Sequence, residues 1–516
     1  MAERRAAGAD VAISDQLGAQ TMMRMTTLPS ADSERAALDA VPKQLYIAGE
    51  WRDGAEGATV AVEDPATGET IASVADGTVD DALDALTAAD EAFAEWRETA
   101  PRARGEILRG AYESVVARAD ELALLMTLEM GKPVAESREE VLYASEFLRW
   151  YAEEAVRIAG RYTTHMAGNG RVLTMKQPVG PCVFITPWNF PLAMGTRKIA
   201  PAIAAGCTMV VKPAKLTPLS MLALAKILEE AGLPAGVLNV ITSSSSGRVM
   251  EPLIRDPRTR KLSFTGSTEV GRKLMDQASE QLLRVSMELG GNAPFLVFED
   301  ADCDDALDGA MIAKMRNIGE ACTAANRFHI HESLAEEFAG GLARIMGSLK
   351  IGRGTEEGVE VGPLIDADQL AKVQELVDDA VARGARVLCG GSRVDGPGHF
   401  YEPTVLADVP PDARLLREEI FGPVAPGGAF ATEEQALAEA YDTVFGLVAY
   451  RYTSDHARAL RVSERLETGM VGLNQGLVSN AGAPFGGIKH SGFGREGGPE
   501  GIEEYLEIKY VAMASP

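Results

Sequence analysis

Cysteine, histidine and positive charge are all in short supply in this chain, and each shortage excludes a class of protein. The five cysteines (Cys182, Cys207, Cys303, Cys322 and Cys389) are scattered, odd in number and free of CxxC spacing. That excludes a disulfide framework or a cysteine zinc site and points to a reducing, cytoplasmic setting. Of six histidines only His329 and His331 stand close together. A strand would put them on one face, but without a third ligand they read as structural, and no metal is expected. Fifty Lys and Arg face 75 Asp and Glu, a formal net charge of −25. Nucleic acid is therefore not a partner, and any anionic ligand needs local cations to overcome the global field. A membrane span is also missing. The longest uncharged run that resembles a span, 177–196, contains Pro178, Pro181, Pro187, Pro191 and Asn189, which no simple spanning helix tolerates. The first forty residues carry four arginines and six acids around no apolar core, so they make neither a secretory signal nor a transit peptide. Residues 1–44 read as a mobile tail, with the fold beginning near Leu45.

What is present is a globular composition, 46% hydrophobic and 24% charged, over 516 residues. That length is too great for one ordinary core and implies two or more domains. Short strands and turns are expected from Leu45 to Glu69, and helical periodicity takes over from Thr78 to Ile158. The stretch 160–177 reads as a hairpin turning at Gly168-Asn169-Gly170, with too little core to stand without a neighbour such as a second subunit. Between Pro181 and Pro294 strand and helix alternate regularly, the pattern of a doubly wound parallel sheet that binds ligands beyond its strands' carboxyl ends. A second α/β unit follows from Ala301 to Leu473, and residues 503–513 read as a final strand.

The stretch from Met287 to Asn326 joins these two units. Glu288 ends an apolar strand and is followed by Gly290-Gly291, while Cys322 lies in a Gly-containing turn after the helical run 304–315. A βα excursion separates them, so the two side chains can share a cleft. A thiolate there is a nucleophile, and a nearby carboxylate can activate water. The bland alternatives stay open at this point: a small buried hydrophobe for the cysteine and a solvated rim residue for the acid. Likewise Phe264-Thr265-Gly266-Ser267 through Gly271 fits either a dinucleotide-binding turn or a plain strand-to-helix turn.

Several further segments resolve the matter together. Thr186-Pro187-Trp188-Asn189-Phe190-Pro191, Lys212-Pro213-Ala214, Phe264 to Gly271, Met287 to Pro294, Cys322, Glu419-Ile420-Phe421-Gly422-Pro423 and Pro484-Phe485-Gly486-Gly487 occur in one order. With that order and spacing, from about Leu45 to the C-terminus, the chain resembles the aldehyde dehydrogenase superfamily. The resemblance implies a cofactor-binding domain (45–156 and 179–290), a catalytic domain (291–497) and an oligomerisation element (157–178 and 498–516) that makes a homodimer or homotetramer. It implies Cys322 as nucleophile, Asn189 with the Cys322 N–H as oxyanion hole, and Glu288 as the base for hydrolysis. Cofactor contacts carry over to Trp188, Asn189, Lys212, Ala214, Gly266, Ser267, Leu289, Glu419 and Phe421.

Two departures refine the expectation. Many NAD-using members have a glutamate where this chain has Lys215. Lys212 and Lys215 together attract a 2′-phosphate, so NADP is expected over NAD, the alternative being a solvent-pointing Lys215 and use of both. Ala324 replaces the second cysteine that some relatives oxidise to a disulfide, so that switch is missing. Arg197, Arg316 and Ser479 resemble the carboxylate clamp of succinate-semialdehyde dehydrogenases. Bidentate arginine pairing suits an ω-carboxylate and disfavours uncharged aldehydes. Glutarate semialdehyde is the near alternative, because a clamp fixes charge better than chain length. A catalytically silent relative would have lost Asn189, Glu288 or Cys322, and all are present.

Overall fold

The computed structural model describes residues 28–514. Five parallel strands, Cys182–Ile185, Met209–Lys212, Leu238–Val240, Lys261–Thr265 and Arg284–Glu288, make the centre of an eight-stranded sheet. Their residues are nearly all buried, as a sheet covered by helices on both faces requires, with polar side chains such as Lys212, Asn239, Lys261 and Glu288 among the apolar ones. The sheet is not wholly parallel. Leu45–Ile47 and Glu50–Arg52 add antiparallel at one edge, and Gly492–Phe493 pairs antiparallel with Met287 and Glu288 at the other. A seven-stranded sheet forms the second unit, with Ala293–Val297 beside Ala325–His331 near its middle.

The crossing between the sheets is short. The strand ending at Glu288 continues through Gly290-Gly291-Asn292 into Ala293–Val297, so one segment belongs to both. Ala293 pairs with Ala325, which brings the Cys322 turn back against the same crossing. A Cβ on Gly291 would lie 2.2 Å from the Cys322 carbonyl oxygen, so glycine is required there by contact.

Three readings change. The expected tail 1–44 contains a helix, Ala31–Asp39, capped by Ser30 and tied down by Glu34 against Arg353 at 2.8 Å; residues 1–27 lie outside the described part. Its apolar face is only Ala37 followed by Val41, too little for periodicity to reveal. Within 291–497, Gly492–Phe493 returns to the first sheet. Gly492 has φ +104°, and a Cβ there would be 1.8 Å from the Met287 oxygen, so the pairing depends on having no side chain. Within 498–516, Gly498–Glu503 is a helix packed against Val134–Glu154 and Ala193–Ala205. Only Leu506–Ala514 joins Arg161–Thr164 and Gly170–Pro178 in a three-stranded sheet.

Candidate active site

Cys322 follows a left-handed turn. Asn317, Ile318 and Gly319 have φ of 54°, 61° and 76°, a conformation costing about 1–2 kcal/mol for each residue with a side chain. Buried groups hold it. Glu136 accepts the Asn317 N–H at 2.8 Å, and the Asn317 amide donates to the carbonyls of Asn189 (3.0 Å) and Glu320 (2.9 Å). These bonds fix where the turn presents the Cys322 thiol.

Asn189 meets the same turn from the other side. Its side-chain amide donates one hydrogen to the Glu320 carbonyl at 2.9 Å, leaving its second N–H for a ligand. Its backbone carbonyl accepts from Lys132 Nζ at 2.8 Å. Lys132 is fully buried in an ion pair with Glu140 at 2.5 Å and lies 4.4 Å from the Phe190 ring centre. Glu140 in turn accepts the Leu192 and Ala193 N–H groups at 3.1 Å, at the start of the Ala193–Ala205 helix. Sequence reasoning missed this pair; a lysine between two helices with an acid eight residues on is a weak signal.

The electrostatics are those of a dry pocket. Burial pushes the Cys322 thiol up to about 12; Glu419 and Glu288 add to this while Arg197 and Arg316 oppose it. Glu288 is buried with neither carboxylate oxygen hydrogen-bonded, and burial together with Glu496 holds its proton affinity well above the usual carboxylate range. Glu496 is the partner that the sequence did not reveal. It arrives on the return after Gly492–Phe493 and takes both Lys198 (2.5 Å) and Arg197 (2.9 Å). Burial raises Glu496 too, but those two cations more than offset it.

Arg197 therefore reaches the pocket with its charge already engaged, its guanidinium 3.9 Å from the Phe485 ring centre. Arg316 is differently placed. It lies 4.9 Å from the Phe190 ring centre and donates to Ser479 Oγ at 3.1 Å. Two residues from distant segments thus meet as the sequence suggested, and the third is turned toward a protein carboxylate.

On the opposite side, Thr186, Lys212 and Thr265 stand at the carboxyl ends of three neighbouring parallel strands. The Thr186 and Thr265 hydroxyls are buried without partners. Burial and the neighbouring Lys215 lower the Lys212 ammonium to about 8. Lys215 is exposed, yet its charge acts on Lys212. Unpartnered hydroxyls and two lysines, with Asp76 the one acid acting on Lys212, suit a ribose or its phosphate. Ser267 caps the Thr268–Ser279 helix, whose N-terminus opens beside Gly266. Trp188 and Phe421 form an edge-to-face pair at 5.3 Å, Ala214 is half-buried beside Lys212, and Leu289 packs on Gly271. Glu419 accepts the Gly291 N–H at 3.0 Å.

A sheet crevice facing a cysteine, an amide and an acid defines a class, and the comparisons agree: the aldehyde dehydrogenase family model matches residues 51–511, and the chain belongs to that family. It is 58% identical to a succinate-semialdehyde dehydrogenase of Paenarthrobacter nicotinovorans over 86% of this chain and 99% of that protein. It is 50% identical to a glutarate-semialdehyde dehydrogenase of Pseudomonas putida over 92% of this chain and 98% of that one. A crystal structure of an Escherichia coli NADP-dependent enzyme superposes with a TM-score of 0.91 at 48% identity, covering 95% of this chain and 100% of the other. Among the described residues no helix is long and apolar enough to cross a membrane, and no group of three or more potential metal ligands occurs.

Proposed function

We propose that this chain oxidises succinate semialdehyde, or a near homologue with a distal carboxylate, to the corresponding diacid with NADP. The observation that carries it is the Arg316–Ser479 contact at 3.1 Å, in the same pocket as Cys322. A guanidinium with a hydroxyl beside it pairs with a carboxylate and would be left unpaired by an alkyl aldehyde. Arg197 adds positive field from behind, through a charge shared with Glu496. The semialdehyde names of the relatives at 58% and 50% identity support the class, and the second keeps glutarate semialdehyde as the alternative.

In this mechanism the Cys322 thiol gives up its proton to water and Sγ bonds to the aldehyde carbon. The carbonyl oxygen becomes an oxyanion held by the free Asn189 side-chain N–H and the Cys322 backbone N–H. A dinucleotide bound in the sheet crevice would supply the oxidant, the acceptor for the aldehyde hydrogen and its electron pair. Cys322 is then acylated, and Glu288 takes a proton from the water that releases the acid. Trp188, Glu419, Phe421 and Leu289 would hold the nicotinamide end; Lys212, Ala214, Lys215, Gly266 and Ser267 would hold the adenosine and phosphates. The three-stranded sheet, with Tyr162, Ile508 and Tyr510 exposed, serves assembly as a dimer or tetramer. Arg316→Ala tests the substrate reading: kcat/KM should fall far more for succinate semialdehyde than for butanal, and equal losses contradict it. Lys215→Glu tests the cofactor: preference should move toward NAD.

A further inference from the structure

One phenol near this pocket is unaccounted for. Tyr143 lies on the Val134–Glu154 helix, and its hydroxyl is buried with no hydrogen-bond partner. Two other buried tyrosines are satisfied: Tyr151 donates to the Gly498 carbonyl at 3.2 Å and Tyr450 to the Thr323 carbonyl at 3.0 Å. The buried Tyr401 hydroxyl also lacks a partner, but no cation–π contact with an arginine accompanies it among the described residues. A buried hydroxyl without a partner is costly, and such groups are rare unless something absent completes them.

The surroundings say what kind of partner is missing. The Arg316 guanidinium lies 5.6 Å from the Tyr143 ring centre, and Phe147 packs edge-on against that ring at 5.1 Å. Phe147 also faces Arg197, whose guanidinium is 5.8 Å from its ring centre. Burial depresses the proton affinity of Arg197, and Glu496, the Tyr143 phenol, Glu288 and Cys322 together more than restore it, which places the phenol near that cation as well. A guanidinium has only donors, so neither arginine can accept the phenolic proton. The group needs an acceptor, and one carrying negative charge is favoured beside two cations.

We propose that Tyr143 is a specificity-determining residue whose hydroxyl donates to the distal carboxylate of the substrate, beside Arg316 and Ser479. This rests on the carboxylated-aldehyde reading above. Tyr143 fills the place that Arg197, engaged by Glu496, leaves in the clamp. Its rigid ring brings the donor to a fixed position at a small entropic cost.

The test is Tyr143→Phe, assayed with NADP against succinate semialdehyde and butanal, with succinate as product inhibitor. Losing one hydrogen bond to a charged group lowers kcat/KM for succinate semialdehyde by about tenfold to a hundredfold. The loss should sit in KM, exceed the loss with butanal by at least about tenfold, and be matched by weaker inhibition by succinate. Equal losses on the two aldehydes, or unchanged succinate inhibition, overturn the proposal. A wild-type enzyme that prefers butanal removes the carboxylate reading itself, a failure visible before the variant is made.

Discussion

Gly291 Cα faces the carbonyl oxygen of Cys322 so closely that a methyl group built on it would lie 2.2 Å from that oxygen. Backbone on both sides makes the contact, so neither can swing aside. The crossing between the two sheets thereby fixes the height of the nucleophile in the pocket. Gly291→Ala should shift the Cys322 turn and lower kcat about a hundredfold, the effect of a displacement near 1 Å. Cofactor affinity measured by fluorescence should change little. A variant with full kcat would show that the turn is positioned by other contacts.

Lys132 holds Asn189 by its carbonyl, and its loss leaves Glu140 as an uncompensated buried charge. Lys132→Met should destabilise the protein by about 3–5 kcal/mol. The double variant Lys132→Met/Glu140→Gln should recover much of the stability in denaturant unfolding. It should not recover kcat, because the Asn189 carbonyl stays untethered. Recovery of both would reduce the pair to a packing role.

Burial holds the Cys322 thiol up to about 12, so the free enzyme carries little thiolate at neutral pH. The alkylation rate with iodoacetamide should climb steadily from pH 7 to 10 without a plateau. Arg316→Ala removes a cation that favours the thiolate and should slow alkylation throughout. A plateau near pH 7 would mean that the pocket is wetter than its geometry implies.

Glu320, two residues before the nucleophile, is fully buried; one oxygen accepts the Ile365 N–H at 3.1 Å and the other has no partner. Burial raises its folded-state proton affinity well above the usual 4.5. The folded chain thus keeps a proton that the unfolded chain releases. The stability from this group is fully present below the unfolded value and is lost as pH rises through the folded one. Glu320→Gln removes that loss. Its Tm should approach the parent's in acid and exceed it by a margin that grows as pH rises above 4.5 and levels off once the folded-state Glu320 ionises. A constant difference across pH would contradict a protonated Glu320.

The parallel strands of the first sheet were legible because short runs rich in apolar residues alternate regularly with helical segments, although buried polar residues such as Asn239 and Lys261 interrupt them. The meeting of Arg316 with Ser479 was legible from short motifs that keep their spacing. Glu496 was not, since nothing in its own neighbourhood reports the antiparallel return of Gly492–Phe493 that carries it to Arg197. The helix Ala31–Asp39 was hidden by its length and acidity. Tyr143 was hidden for another reason: it sits at an ordinary position of an amphipathic helix, and only an unpartnered hydroxyl beside Arg316 distinguishes it.

The central claim is covalent: Cys322 carries the acyl group and Glu288 is needed to remove it. Glu288→Gln, mixed with succinate semialdehyde and NADP and quenched in acid, should give one burst equivalent of NADPH. Peptide mapping by mass spectrometry should find a succinyl thioester on Cys322. A missing adduct with turnover intact, or acylation of another cysteine, would contradict the account.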